Sequence, residues 1–575
     1  MQYRWQIPDG IAVPPGAGGA AIIAALLGRR GYTTAEACAA FLNPTPRTMA
    51  DPFRFADLRR AVERLKVAQG RGELVAVWGD YDVDGLTSTA LLTRAFRGMG
   101  VRVRPFIPHR ITDGYGLNIV GIERLIAEGV GLIVAVDCGI SNRAEIAHAT
   151  TLGLDVIVLD HHTIPAEMPE AVAVVNPRRA DCGYPFKDLA AVGVAHSLVR
   201  ALTQEGFALR GAWDEDEADL LELLELAALG TVADVAPLHG ENRAIVAWGL
   251  DALRHTAQPG LQALCAVAGV DPARITAWDI GHALGPRLNA AGRIADAGLA
   301  LQLLLAESFD EALPLAQELD ALNRERRREL ARILEEAIAL VEHAGPPDAA
   351  MPILQIDGTG WTAGVVGLVA GRLAEKYGRP AIVLERGERT SKGSARSIAG
   401  FNLIEALADC ADLLDHFGGH ARAAGLTIAN DKLEELRERL LSRARKHLTA
   451  DDLRPALTLD LDLQLADLGY PTAEALAHLE PFGQGNPEPL ILLRAVGVKW
   501  PKTSTDGKHL FFTAAAQEGR GVRAPLRCVA FGQGARRPET LGAGVRLDLA
   551  GTLRREWWQG EERLSFHVRD FRAAE

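Results

Sequence analysis

Three short apolar runs in the first third of the chain each end on acidic residues. ELVAVWGD leads into Asp80-Tyr81-Asp82-Val83-Asp84-Gly85, GLIVAVD ends at Asp137, and LDVIVLD ends at Asp160-His161-His162. Runs of Val, Ile and Leu this long and this uninterrupted suit buried strands. The turns after such strands are usually built from Gly, Asn or Ser. Here they carry five aspartates and two adjacent histidines, more negative charge than a loop needs. Carboxylate oxygens and imidazole nitrogens gathered on one rim are what divalent cations bind, so the pattern points to a metal-dependent enzyme.

At 575 residues the chain exceeds one core, and three to five domains are expected. No apolar run reaches the roughly 18 residues that span a bilayer. The opening MQYRWQIPDGIAVPP lacks the basic-then-apolar order of a secretory signal. The six cysteines are scattered without a CxxC pair, which argues against a disulfide framework or a structural zinc and favours a reducing cytoplasm. Cys138, beside Asp137, reads as a buried thiol rather than a nucleophile, because no activating base accompanies it. The net charge of −12 on its own argues against a nucleic-acid binder. Local basic patches and cation-neutralised carboxylates weaken that objection.

Residues 1–45 read as a small helical lead-in. Over 46–310 strand and helix signals alternate, as in AVERLKVAQG, ELVAVWGD, STALLTRAFRGMG and VRVRPFI. That order implies a parallel sheet with helices on its faces, and ligands of such sheets sit at the carboxyl ends of strands. Residues 311–345 repeat Leu and Ala at three- and four-residue spacing and predict one long connector helix. Residues 346–449 open a second, smaller α/β domain. Over 450–575 short strands with glycine turns predict a small β-barrel. In the barrel, Phe511, Phe512 and Phe531 are assigned to the core, and Trp557-Trp558 to a strand turn.

The motifs resemble the DHH phosphoesterase superfamily. Asp80-Tyr-Asp82-Val-Asp84, Asp137-Cys-Gly and Asp160-His161-His162 occur in its order, and Asp234 in ALGTVADVAPL matches its fourth acidic motif. GWTAGVVGLVAGRLAEKYGRPAIVL, Gly393-Ser394-Ala395-Arg396-Ser397 and Phe417-Gly418-Gly419-His420 match the associated DHHA1 substrate-binding domain. PFGQGNPEP before an OB-like barrel narrows the likeness to the superfamily's bacterial single-strand-specific exonucleases.

The resemblance implies two divalent cations, manganese first and magnesium as the alternative. Asp82 and Asp137 would hold one, with Asp80 close by. Asp84, Asp137, His161 and Asp234 would hold the other, so Asp137 would bridge. His162 would face the scissile phosphate, and Asp160 would orient a ligand from behind. Ser394, Arg396 and His420, placed in Gly-rich turns, would clamp the terminal 5′-phosphate or the next one. Arg110 and Tyr115 lie in IPHRITDGYGLN, which resembles the family's first-domain substrate loop, where Tyr115 would offer an aromatic face for a base. Arg287, Asn289 and Arg293 in GPRLNAAGR would contact phosphates, and the basic run Arg324, Arg326, Arg327 and Arg328 would attract a strand. Gly85 is assigned a turn-forming role. One departure stands out: many relatives have histidine where this chain has Thr362.

The expected activity is a 5′→3′ exonuclease releasing 5′-mononucleotides from single-stranded DNA in repair and recombination. Its partners would be a strand with a 5′ end, a single-strand-binding protein and a helicase, with no membrane. Two other readings stand beside it: a hydrolase of short oligoribonucleotides or cyclic dinucleotides, and a non-catalytic scaffold.

Overall fold

The computed structural model describes residues 3–109, 113–208, 218–343, 345, 347, 351–515, 525–536, 545–558 and 560–574. They fall into two compact units. One comprises Ala39–Arg326 with Glu480–Pro487; the other comprises Met1–Cys38, Arg327–Leu479 and Glu488–Glu575.

The first unit is built on five parallel strands in the order Arg102–Phe106, Leu74–Trp78, Val130–Val136, Asp155–Leu159, Ala173–Val175. Side chains alternate across a strand, so each run feeds two cores. Val75, Val77, Leu132 and Val134 pack into one with the helices Leu58–Arg71, Val83–Gly98 and Ala191–Gln204. Ala76, Trp78, Ile133 and Ala135 pack into the other with Ile119–Ala127 and Arg143–Thr151. Burial on both faces is why these strands read as unbroken apolar runs. The chain leaves Leu74–Trp78 towards one sheet edge and later builds outward from Val130–Val136 towards the other. The strand order therefore reverses between these two strands, where open α/β sheets bind ligands.

The expected alternation stops at Val175. From Ala191 to Leu305 the named elements are helical. Segments such as LLELLELAALG and GLALQLLL are rich in Leu and Ala, good helix formers, and poor in the β-branched residues that suit strands. The long helix Phe309–His343 begins in one unit and ends in the other.

The second unit contains a five-stranded mixed sheet, ordered Leu414–His420, Ala423–Ala429, Thr390–Arg396, Ala381–Arg386, Leu354–Gly358. It also contains a closed five-stranded barrel. Strands Ile491–Thr503, Leu510–Ala515, Leu526–Ala530, Glu561–Ala573 and Arg546–Trp558 pair in turn, and the last pairs back with the first. The fold is thus α/β with a parallel-sheet domain, a long helix, a smaller α/β domain and an OB-like barrel. The lead-in holds the helices Gly19–Arg29 and Ala35–Leu42, but also the strand Arg4–Gln6, which pairs in parallel with Ala456–Thr458. Three residues with little burial leave no periodic signal to read.

Phe512 is buried and Phe511 half-buried, but Phe531 is 56% exposed. It follows the strand Leu526–Ala530 in a turn, edge-on to His509 and His567, so strand alternation no longer turns it inward. Trp557 is exposed at the end of the final hairpin.

Within the first unit, fully buried Arg243 donates from Nε to the Phe41 carbonyl at 2.8 Å and from Nη2 to the Glu480 carbonyl at 2.7 Å. It staples two distant segments to the helix Gly240–Arg254. Replacing Arg243 by Leu is expected to destabilise the protein by roughly 2–4 kcal/mol, since hydrogen bonds from a charged donor are lost and the carbonyl of buried Phe41 is orphaned. Denaturant unfolding of the two proteins measures this difference.

Candidate metal centre

The DxDxD segment straddles the entry to a helix. Asp82 is the N-cap of Val83–Gly98, and its Oδ1 accepts from the backbone N–H groups of Asp84 at 2.9 Å and Gly85 at 3.2 Å. Gly85 lies inside that helix, so its role differs from the turn expected. A Cβ there would lie 2.5 Å from the Asp80 backbone N and O, and glycine is required by this close approach. Asp84 sits in the first helical turn, and its two oxygens accept from the N–H groups of Ala191 at 2.7 Å and Val192 at 2.9 Å.

Asp137 has φ +60°, an uncommon conformation for a non-glycine residue that clusters at functional sites. Asp160 is fully buried. Its Oδ1 accepts from the backbone N–H groups of His161 at 2.7 Å and His162 at 3.0 Å, and from the His162 Nδ1–H at 2.7 Å. Its Oδ2 accepts from the Ile140 N–H at 3.0 Å. Asp160 thus holds both histidines and the loop after Asp137. Asp234 immediately follows the helix Ala218–Ala233, and its neighbour Val235 is exposed at φ +60°.

These side chains converge. Ligand atoms of Asp80, Asp82 and Asp137 lie within 4.8 Å of one another, as do those of Asp84, His161 and Asp234, and those of Asp137, His161 and His162. His161 Nε2 is 3.2 Å from Asp137 Oδ1 and 3.9 Å from Asp84 Oδ2, and its Nδ1 is 3.8 Å from Asp234 Oδ2. Asp137 belongs to two of the three groups.

The electrostatics follow from burial and like charge. Burial first, and then Asp234 and Asp82, push the Asp84 carboxyl well above its ordinary range. Burial and then Asp84, Asp82, Asp80 and Asp234 do the same to Asp137. Asp234 is pushed up to about 7 by burial and by Asp82. Burial, reinforced by the charge on His162, lowers His161 to about 3. Burial also disfavours the His162 cation, but the Asp160 hydrogen bond and charge prevail and raise it to about 9. Asp160 is correspondingly held at about 2 against its own burial.

His161 is therefore a neutral imidazole whose Nε2 is buried without a hydrogen bond, a lone pair suited to a cation. Carboxylate oxygens with one or two imidazoles fit manganese or magnesium better than zinc, which prefers nitrogen and sulfur. The residues present fit two such ions.

Tyr115 comes to the same rim. Its hydroxyl donates to the Asp137 carbonyl at 3.2 Å and lies 3.5 Å from His162 Nε2. Arg110 lies outside the described residues. Arg287 is committed elsewhere: it donates to Asp320 Oδ1 at 3.0 Å and to the Ala283 carbonyl at 2.7 Å, so its guanidinium braces helices. Asn289 and Arg293 are half-buried on the helix Gly285–Ile294, whose Gly292 leaves no room for a Cβ against the Tyr81 carbonyl 2.6 Å away. Arg324 pairs with Asp320 at 2.8 Å, and Arg326 donates to Asn323 Oδ1 at 2.8 Å.

In the second unit, Ser394, Arg396 and His420 lie on strands rather than in turns. Ser394 and Arg396 are on Thr390–Arg396 and His420 ends Leu414–His420. Glycines in these strands serve close packing: a Cβ on Gly393 would meet Leu384 at 2.8 Å. Ser394 Oγ and Arg396 Nη2 converge on Gly367, 3.0 and 3.3 Å from where its Cβ would stand. Burial lowers the Arg396 guanidinium from its ordinary value. His420 pairs with Ala423, which pairs in turn with Arg396. Thr362 donates to Glu329 Oε1 at 2.9 Å, tying its loop to the connector helix.

Sequence reasoning overlooked the backbone amides of Ala191 and Val192, which no side chain announces. It also overlooked Asn176, whose Nδ2 donates to the His162 carbonyl at 3.0 Å. Cys138, 1% exposed with its thiol pushed up by burial, has no nucleophilic character.

Residues 74–231 match the DHH family N-terminal domain, 349–446 the DHHA1 domain and 459–570 the RecJ OB domain. The single-stranded-DNA-specific exonuclease RecJ of Bacillus subtilis is 38% identical over 557 residues, covering 96% of this chain and 68% of that protein. The chain belongs to the RecJ family. RecJ of Escherichia coli is 40% identical over 450 residues, covering 76% of this chain and 78% of that protein. The structure of Thermus thermophilus RecJ in complex with Mn2+ superposes with a TM-score of 0.80 at 31% identity, covering 100% of this chain and 80% of that one. RecJ from the same organism has also been solved with Mg2+ (TM-score 0.76).

Cation binding requires the carboxylates to be deprotonated. Asp234, raised to about 7, keeps its proton below that pH and competes with the ion; above it, the Asp234 carboxylate is free to bind. The same raised value means that the metal-free fold loses Asp234's contribution as pH climbs through about 7. Calorimetric Mn2+ affinity is therefore expected to strengthen from pH 6 to pH 8, with proton release at the lower pH. A flat profile would contradict the assignment.

Proposed function

We propose that this protein is a two-metal-dependent 5′→3′ exonuclease that hydrolyses single-stranded DNA to 5′-mononucleotides in the cytoplasm. The observation that carries the reading is the pair of ligand groups Asp80/Asp82/Asp137 and Asp84/His161/Asp234, brought together at the strand-order reversal with Asp137 beside both.

In this proposal Asp82 and Asp137, with Asp80, hold one cation, while Asp84, Asp137, His161 and Asp234 hold the other. When bound, such a pair neutralises the phosphodiester, lowers the pKa of a water and stabilises the departing oxygen. The remaining roles fall to the chain's own groups. Asp160 holds His162 Nδ1–H, so the cationic ring presents its Nε2–H towards the substrate rim. There it can donate to a phosphate oxygen. The Tyr115 ring, half exposed, offers a face on which a base can stack. Ser394 and Arg396, with His420, serve as the phosphate-holding group of the second unit. The barrel, as an OB-like fold, suits a single strand. A single-strand-binding protein and a helicase are the proposed partners.

Two experiments test this. Oligonucleotides labelled at the 5′ or the 3′ end and digested with Mn2+ are expected to release the 5′ label first; initial release from the 3′ end would overturn the polarity. Asp137→Ala should reduce hydrolysis by at least about a thousandfold, as expected when metal-assisted catalysis is removed, while strand binding remains measurable. Wild-type turnover in that variant would remove the two-metal reading.

A further inference from the structure

Asn142 stands at the N-cap of the helix Arg143–Thr151, yet its side chain makes no capping hydrogen bond to that helix. Asparagine at this position normally accepts from an N–H one turn on, and that bond is forgone here. The side chain is turned instead to a neighbouring loop. Its Oδ1 accepts from the Leu117 N–H at 3.2 Å, and its Nδ2 donates to the Leu117 carbonyl at 3.1 Å and to Glu145 Oε2 at 3.3 Å. One primary amide thus satisfies both backbone groups of a buried residue, as a paired strand would. Gly116, at φ +79°, is the complement: a Cβ there would lie 2.5 Å from Asn142 Oδ1.

The loop so held carries Tyr115, whose hydroxyl reaches the Asp137 carbonyl. Asn142 itself closes the segment that starts at Asp137: its N–H donates to the Gly139 carbonyl at 3.0 Å, and Ile140 is fixed by Asp160. The segment 137–142 is therefore pinned at the metal centre at one end and grips the Tyr115 loop at the other.

We infer that Asn142 is a positioning residue that sets the Tyr115 loop in register with the Asp137 loop, so that a strand is seated where the metal centre can act on it. The substrate part of this inference rests on the proposed function; the latch itself does not. Asn142 touches neither ligand group nor phosphate in this scheme and acts through Leu117 and Tyr115.

The test is Asn142→Ala in the full chain. Amide hydrogen exchange at 114–118 should accelerate without substrate, while exchange at Val130–Val136 stays as in the wild type. Mn2+ affinity by calorimetry should be unchanged. The KM for a 5′-phosphorylated oligonucleotide should rise about tenfold, the equivalent of about 1.4 kcal/mol from two lost hydrogen bonds, with kcat within about twofold. Asn142→Asp, which keeps the acceptor for the Leu117 N–H but sets a carboxylate oxygen against the Leu117 carbonyl and Glu145, should not recover the loss. Gly116→Ala, which pushes the same partners apart, should behave like Asn142→Ala and add little to it. Unchanged exchange at 114–118 would overturn the latch. Faster exchange with a wild-type KM, or loss of Mn2+ affinity in Asn142→Ala, would overturn its positioning role. Failure of the wild type to degrade any single strand would instead sink the substrate reading, and the exchange data would still decide the latch.

Discussion

Asp80, Asp82, Asp84, Asp137 and Asp234 crowd one rim, several of them out of reach of water. Left alone, such a cluster repels itself, and burial with like charge drives Asp84, Asp137 and Asp234 towards the neutral form. The surrounding fold is organised to tolerate this repulsion. Backbone N–H groups at two helix starts point at Asp82 and Asp84, where the helix dipole favours negative charge. Asp160 differs from Asp84, Asp137 and Asp234 because three backbone N–H groups and the His162 ring N–H surround it, so it is held ionised while their carboxyls are pushed up. Two carboxylate populations therefore coexist within a few ångströms. One is electrostatically complete, and the other is incomplete until cations arrive.

Strain accompanies that arrangement. Asp137 and Val235 both adopt positive φ, and Val235 is β-branched, for which this conformation is a genuine outlier. Each costs on the order of 1–3 kcal/mol. Both flank the point where ligand groups from distant parts of the chain meet, and the parallel sheet behind them supplies the rigidity that keeps them so. A loop-built site of the same composition would relax by spreading its charges.

Much of this is legible in the amino-acid sequence. The unbroken apolar runs identified parallel strands because burial on both faces removes polar alternation, and carboxylates at their ends marked the rim. Asp80, Asp82, Asp84, Asp137, His161 and Asp234 were identified from motif order, and the structure gathers them. What escaped reading has physical causes. Arg287 sits in a motif that resembles a phosphate contact, but only the fold shows Asp320 beside it. Gly85 looks like a turn residue, and only the packing reveals Asp80 pressed against it. Ser394, Arg396 and His420 look like turn residues in sequence because glycine neighbours mimic turn chemistry even when the glycines serve tight packing between strands. Phe531 was assigned to the core by residue type, and the end of its strand turned it out. Asn142 carries no motif signal, since its side chain serves backbone groups 25 positions upstream.

The division of the polypeptide between its two units bears on how the molecule is made. The segment Arg4–Gln6 must wait for Ala456–Thr458 before it has a neighbour, and Arg243 must wait for Glu480. Neither unit is contiguous, so neither can close while the ribosome still holds back the stretch around residue 487. Before Ala456–Thr458 emerges the leading strand has no neighbour, and before Glu480 emerges Arg243 lacks that acceptor. Such intermediates invite aggregation.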